Sequence, residues 1–218
     1  MTFLDRRDAG RQLADALAPQ VADRTGVVLA LPRGGVPVGF EVAQRLGWPL
    51  DVYVVRKLGA PQNPELAIGA VATGGQVLIN EGLVRHLHVS ERYLESTLRK
   101  ESAEVARREA LYRGDRPRPT LKEQTVILVD DGLATGATAR VALAALSREA
   151  PAWRILAVPV GSTEAVAALR PECDALICLE TPLYFMAVGM WYTHFEQTSD
   201  EEVIDLLAQQ SRQTRSRG

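Results

Sequence analysis

The chain has 218 residues, 46% of them hydrophobic and 24% charged, which fits one large domain with a substantial core and the composition of an ordinary soluble globular protein. Its formal net charge of −2 supplies no global basic field for nucleic acid or an anionic membrane, so any anion must be held by local geometry. No apolar run reaches the roughly 18 residues of a membrane span, and the opening stretch MTFLDRRDAGRQLADALA is charged where a signal peptide would be apolar, so the expected location is cytoplasmic.

In chain order, residues 27–31 (VVLAL) form a short continuous apolar run of the kind buried on both faces of a parallel sheet. The segment PRGG breaks it, and residues 38–46 read as a helix stopped by Gly47. Residues 50–55 (LDVYVV) give the next strand, with Arg56 and Lys57 at its end. The stretch LGAPQNPEL at residues 58–66 is polar and holds two prolines, which suits a loop. Alternation and glycines over residues 68–80 predict a hairpin turning at Gly74-Gly75.

Residues 89–112 are strongly charged, with Leu94, Leu98, Val105 and Leu111 spaced for one helical face. Ser90 is placed to cap this helix, and Gly114, Pro117 and Pro119 to close it. The reading is a solvated helix inserted between strands of the sheet. Residues 125–129 (TVILV) are a buried strand, 136–150 an alanine-rich helix, 155–160 a strand, 164–169 a helix and 175–179 a last core strand. Strands alternating with helices predict an α/β fold, a mostly parallel central sheet flanked by helices, with ligands at the carboxyl ends of strands.

Cys173 and Cys178 have the wrong spacing for a C-x-x-C site and are expected as buried core thiols. His86, His88 and His194 are read as surface or packing residues rather than metal ligands, and residues 211–218 as a frayed polar tail. The expected organisation is a single domain over residues 1–218.

The most informative segment is VILVDDGLATGAT at residues 126–138. A buried strand ends in two adjacent acids, Asp130 and Asp131, and four residues later Thr135-Gly136-Ala137-Thr138 opens a helix. Small residues at a helix start let backbone N–H groups close on an anion, and the helix dipole favours negative charge there. Thr135 and Thr138 add hydroxyl donors, and Gly136 permits close approach or positive φ. Asp130 and Asp131 accept but do not donate. They would repel a phosphate, yet they suit the paired hydroxyls of a ribose or a magnesium ion carried with the substrate. Phosphate at one end and a diol at the other describe a 5-phosphoribosyl group. A P-loop would need a lysine in the turn and a dinucleotide fold a G-x-G-x-x-G after a strand; neither is present.

Two further segments fit an anion site. Arg33 offers a planar fork for a diphosphate, and Gly34 and Gly35 let backbone approach a ligand. Lys57 follows the second strand, on the same side of the sheet as the other two loops.

The segment VILVDDGLATGAT resembles the phosphoribosyl-diphosphate (PRPP) signature of type I phosphoribosyltransferases, and the element order from residue 27 to 179 is similar to theirs. The resemblance implies that Asp130 and Asp131 hold the ribose hydroxyls and that Ala134, Thr135, Gly136, Ala137 and Thr138 hold the 5-phosphate. It implies a diphosphate site at Arg33, Gly34, Gly35 and Lys57, with Mg²⁺ held mainly through PRPP. It also makes residues 58–66 a mobile loop over the site, residues 81–120 a helical insertion and residues 180–198 a hood whose Tyr184, Phe185 or Trp191 stacks on a base.

Some members acting on 6-oxopurines carry an aspartate where this chain has Ala134, and the lysine that reads a 6-oxo group, expected before the hood, has no counterpart in residues 175–181. Hypoxanthine and guanine become less attractive acceptors. Glu65 in the mobile loop is the remaining candidate for proton transfer, and Lys57 the cation that neutralises the leaving diphosphate. The expected reaction is transfer of a 5-phosphoribosyl group from PRPP to a nitrogenous acceptor, a nucleobase, as in nucleotide salvage. Two other readings stay open: a regulator that binds PRPP or nucleotides without catalysis, and another sugar-phosphate reaction on the same scaffold. The expected partners are small molecules, without nucleic acid or membrane, and a homo-oligomer is compatible with this reading.

Overall fold

The computed structural model describes residues 2–215. The chain begins with α1 (Arg6–Leu17), β1 (Gly26–Ala30), α2 (Gly35–Leu46) and β2 (Leu50–Val52). It continues through β3 (Val55–Ala60), β4 (Asn63–Ala72), β5 (Gln76–Ile79), α3 (Glu81–His86) and α4 (Glu91–Arg113). It then alternates β6 (Thr125–Val129), α5 (Ala137–Ser147), β7 (Trp153–Val160), α6 (Thr163–Leu169) and β8 (Ala175–Glu180), and ends in α7 (Asp200–Arg215).

Five strands pair in parallel in the order β2-β1-β6-β7-β8, while β3, β4 and β5 form a separate antiparallel sheet. The apolar runs of the parallel strands are used on both faces, as the continuous VVLAL and TVILV patterns require. Val28, Ala30, Ile127, Val129, Ile155 and Ala157 pack with Leu13 and Leu17 of α1, Phe40 of α2 and Leu207 of α7. Val27, Leu29, Val126, Leu128, Leu156 and Val158 pack with Leu143 and Leu146 of α5 and Leu169 of α6. Both faces covered and every connection a crossover, the parallel strands deliver all their carboxyl ends to one side.

Several local readings need correction. The strand expected over residues 50–55 stops at Val52, and Tyr53 and Val54 carry the buried chain into the antiparallel sheet. Arg56 and Lys57 therefore lie inside β3, opposite Val71 and Ala70, and not at the end of a parallel strand. Residues 58–66 are not one loop. They form the end of β3, a turn at Pro61-Gln62 and the start of β4, with Ala60 paired to Asn63. The two prolines misled because one occupies the turn, and the other lies where the register shifts around Gly59, whose bare backbone packs on Pro64. The Gly74-Gly75 hairpin forms between β4 and β5 as the alternation indicates.

Ser90 caps α4 by accepting from the Tyr93 amide, and the helix stops at Gly114. Its buried stripe runs through Val105 to Tyr112, whereas Leu111 stays exposed. The predicted tail is corrected too. Residues 211–215 continue α7, because Val203, Leu206 and Leu207 are buried and Gln213 meets Gln44 of α2 at 3.0 Å. Residues 216–218 of that tail lie outside the described residues. Cys173 and Cys178 are free and half-buried rather than fully buried; burial pushes the Cys178 thiol up to about 11. Among the described residues no helix is long and apolar enough to cross a membrane.

Gly47 ends α2 at φ 70°, with its amide donating to the Ala43 and Gln44 carbonyls. Its left-handed backbone disfavours any Cβ. Gly47→Ala is expected to lower unfolding free energy by about 1 kcal/mol, measured by urea denaturation. An unchanged midpoint would show that this cap is not under conformational demand.

Candidate active site at the carboxyl ends of the parallel strands

β1 and β6 are neighbours in register, Ala30 opposite Val129, so the loops that leave them lie side by side. The Leu31 amide donates to the Val129 carbonyl at 2.9 Å and carries the pairing one residue further. The chain then turns through Pro32, Arg33, Gly34 and Gly35, with a cis peptide at Pro32-Arg33. The turn packs directly on the two acids. A Cβ on Gly34 would lie 2.0 Å from Asp131 Oδ2, and one on Gly35 would lie 2.7 Å from the Val129 carbonyl and 3.0 Å from the Asp130 Cα. Glycine here is a requirement of contact between loops.

Asp130 Oδ1 accepts from the Asp131 amide at 2.9 Å. Burial, and next the charge of Asp131, hold the Asp130 carboxyl well above the usual carboxylate range. Burial also raises Asp131, against the pull of an arginine. That arginine is Arg6, in the first turn of α1, whose Nε donates to Asp131 Oδ2 at 2.8 Å. Arg6 Nη1 donates to the Glu196 carbonyl at 2.7 Å, and the guanidinium lies 3.8 Å from the centre of the Phe195 ring. The Tyr192 hydroxyl donates to the Asp131 carbonyl at 2.6 Å.

Beyond the acids, Leu133 pairs with Gly161 after β7. Gly136, at φ 71°, turns the chain into α5 without a side-chain cap, although Thr135 Oγ1 accepts from the Ala137 amide at 3.3 Å. Thr135 and Thr138 are exposed. The two exposed hydroxyls thus flank the start of α5, where helix amides lack intrahelical partners, an arrangement suited to an anion. Ser162 braces this turn: its hydroxyl donates to the Ala134 carbonyl at 2.8 Å and accepts from the Ala165 amide at 3.1 Å. Ala134, Thr135, Ser162, Glu164, Phe185 and Met186 line a cavity of about 500 Å³ between this turn and Phe185-Met186.

Among the residues singled out in the sequence, Gly34, Gly35, Asp130 and Asp131 come together in one contact, with Arg33 in the same turn, and residues 134–138 continue from it. Arg33 Nη1 lies 3.6 Å from Asp200 Oδ1 at the start of α7. Phe185 lines the cavity, Tyr184 is 90% exposed, and Trp191 packs with Phe3 and Tyr192. Lys57 and Glu65 face each other across the β3–β4 hairpin at 3.7 Å, and neither bonds to the acid pair or to residues 134–138. Arg6, Tyr192, Phe195 and Ser162 escaped the sequence reading. Arg6 is 125 positions from Asp131, and no local spacing signals a pairing at that separation.

A carboxylate with a raised folded pKa favours the native state most where it is protonated, and that contribution is lost as pH rises from its ordinary value of 3.8 toward the folded value. Asp130→Asn imitates the protonated form. It is expected to raise thermal stability at pH 7 relative to the parent chain, with the difference vanishing below pH 3.8; a destabilised variant at pH 7 would contradict the burial argument. Gly34→Ala must displace Asp131 and is expected to cost about 1–3 kcal/mol in chemical denaturation.

Comparison with known proteins supplies relatives. Residues 8–182 match the family described as phosphoribosyl transferase domain. Two Mycobacterium tuberculosis proteins, from strains CDC 1551 / Oshkosh and H37Rv and each named "Putative phosphoribosyl transferase", are 47% identical over 205 residues, covering 94% of this chain and 46% of theirs. The chain thus spans about half the length of the curated relatives it matches. Among solved structures, TT1426 from Thermus thermophilus is 44% identical with a TM-score of 0.86, over 96% of this chain and 99% of that one. A hypothetical protein from Neisseria gonorrhoeae, solved with bound ppGpp, shares the fold at 13% identity and a TM-score of 0.51, over 100% of this chain and 99% of that one.

Proposed function

The chain belongs to the phosphoribosyl transferase domain family, and we propose that it transfers the 5-phosphoribosyl group of PRPP to a nitrogenous acceptor, a nucleobase, with release of diphosphate. The observation that carries this reading is the packing of the Gly34-Gly35 turn on the Asp130-Asp131 pair, immediately before the uncapped start of α5. Acceptors of hydroxyl protons and donors to a phosphate then stand a few residues apart on one loop, as the two ends of a 5-phosphoribosyl group demand.

In this reading residues 134–138 hold the 5-phosphate through the α5 amides and the Thr135 and Thr138 hydroxyls. Asp130 and the Asp131 oxygen that Arg6 does not engage accept the ribose hydroxyls. Arg33 and the Gly34-Gly35 backbone face the diphosphate. The bond from the anomeric carbon to the diphosphate oxygen breaks with its electron pair on diphosphate. The acceptor nitrogen forms the new bond and gives up a proton. Positive charge develops at the anomeric carbon in between, so the contribution of the loops is fixed geometry and charge placed before the reaction.

Magnesium fits as a companion of the substrate. Among the described residues no group of three or more His, Cys, Asp or Glu side chains forms a cage. The adjacent acids supply oxygen donors to a hard cation, with Asp130 free of any cationic partner among the ion pairs of the described residues. Bound there with PRPP, the ion would neutralise charge on the departing diphosphate.

The cavity of about 500 Å³ beside Ala134 is the proposed acceptor site, with Phe185 the aromatic placed to stack on a base. Lys57 and Glu65 enter through the β3–β4 hairpin. Their 3.7 Å ion pair would open as Lys57 turns to the diphosphate and Glu65 to the acceptor proton.

Asp130→Asn is the discriminating variant, because Asp131→Asn would also strip the half-buried Arg6 of its carboxylate. Calorimetry is expected to show PRPP affinity reduced at least about 100-fold in a folded Asp130→Asn protein. Undiminished affinity would sink the site assignment. A panel of purines, pyrimidines and small amines with PRPP and magnesium, read by diphosphate release, should identify a productive base. Tight PRPP binding with no release from any acceptor would favour a regulatory role.

A further inference from the structure

We infer that Arg6 is a positioning residue for the acid pair, holding the Asp131 carboxylate so that one of its oxygens is reserved for a ribose hydroxyl. The inference rests on the assignment of the acids to the ribose made above. It goes beyond it by naming a residue outside the span matched by the family, which covers residues 8–182.

The geometry is that of a clamp built from five contacts. Arg6 Nε donates to Asp131 Oδ2 at 2.8 Å, and its Nη1 donates to the Glu196 carbonyl at 2.7 Å. Its flat face lies 3.8 Å from the Phe195 ring centre, and Phe195 stacks on Tyr192 at 4.9 Å. The Tyr192 hydroxyl donates to the Asp131 carbonyl at 2.6 Å, so main chain and side chain of the same aspartate are both fixed. The Arg6 and Asp131 side chains are only 12% and 16% exposed, which places the pair where solvent screens it little.

The clamp draws on both ends of the chain. Arg6 opens α1, and Tyr192, Phe195 and Glu196 precede α7. The two segments are tied together by Phe3, whose amide donates to the Trp191 carbonyl while its own carbonyl accepts from the Thr193 amide, both at 2.8 Å. A guanidinium suits the task because its planar fork spends one N–H on the carboxylate and another on a carbonyl while its face stacks on an aromatic ring. With Oδ2 engaged by Arg6 and crowded by Gly34, Oδ1 is the oxygen left to accept from a ligand.

The test measures discrimination between sugars, not only activity. Calorimetric affinities of ribose 5-phosphate, its 2-deoxy and 3-deoxy forms and inorganic phosphate are compared for the parent chain, Arg6→Gln, Arg6→Lys and Phe195→Leu. The parent chain is expected to prefer ribose 5-phosphate over at least one deoxy form by about tenfold, the scale of a hydrogen bond to a charged group. Arg6→Gln should collapse that preference toward unity while leaving inorganic phosphate affinity intact, because the 5-phosphate loop is separate from the clamp. Arg6→Lys should restore part of the preference, and Phe195→Leu should lose part of it.

Retained discrimination in Arg6→Gln would overturn the inference, and so would an equal loss of affinity for all four ligands, which marks a merely structural role. If Arg6→Gln does not fold, undiminished discrimination in Phe195→Leu overturns it instead. A parent chain that binds inorganic phosphate but shows no preference for the ribose hydroxyls would instead refute the ribose assignment itself.

Discussion

Two carboxylates on consecutive residues at the end of a fully buried strand are the constraint on which the site depends. Desolvation and mutual repulsion both oppose their ionisation. The fold answers with an arginine from α1, a backbone amide and a turn that must be glycine to fit against them. Because Oδ2 of Asp131 and the place of a Gly34 Cβ coincide within 2.0 Å, the loop after β1 and the loop after β6 are one unit. What is done to one is transmitted to the other.

The parallel sheet explains why that unit exists at all. Adjacent parallel strands in register end level with one another, so the loops after β1, β6 and β7 converge without any loop reaching far. Ser162, after β7, braces the Ala134 carbonyl and fixes the turn into α5. That side of the site is thus built on strand ends and helix starts, while the facing segment packs through Phe185, Val188 and Trp191 and leaves other side chains in solvent. Leu183, Tyr184, Met186 and Met190 are all more than 60% exposed.

The antiparallel sheet gives a second contrast. Lys57 and Glu65 come from a paired hairpin with a two-residue turn, so any motion there moves both residues together. Their placement opposite each other follows from strand pairing. They act, in the proposed reaction, as a pair carried on one element.

The sequence by itself determined the parallel α/β plan, the Gly74-Gly75 hairpin, the caps of α4 and the segment from Asp130 to Thr138, because each is written in neighbouring residues: continuous apolar runs, turn glycines, a capping serine, acids followed by a T-G-x-T turn. It misread residues 50–66, since an apolar strand that changes sheets looks like one that ends, and prolines at a turn and a register shift look like a loop. It took the polar last turn of α7 for a tail, because the burial that holds that helix lies earlier, at Val203, Leu206 and Leu207. The acid pair was legible, but what keeps it in place was not. Arg6 meets Asp131, Glu196 and Phe195 only when the two ends of the chain are brought together across the sheet, and contacts between distant segments leave no periodicity or spacing to read. Tertiary structure alone decided that one oxygen of the second acid is already engaged.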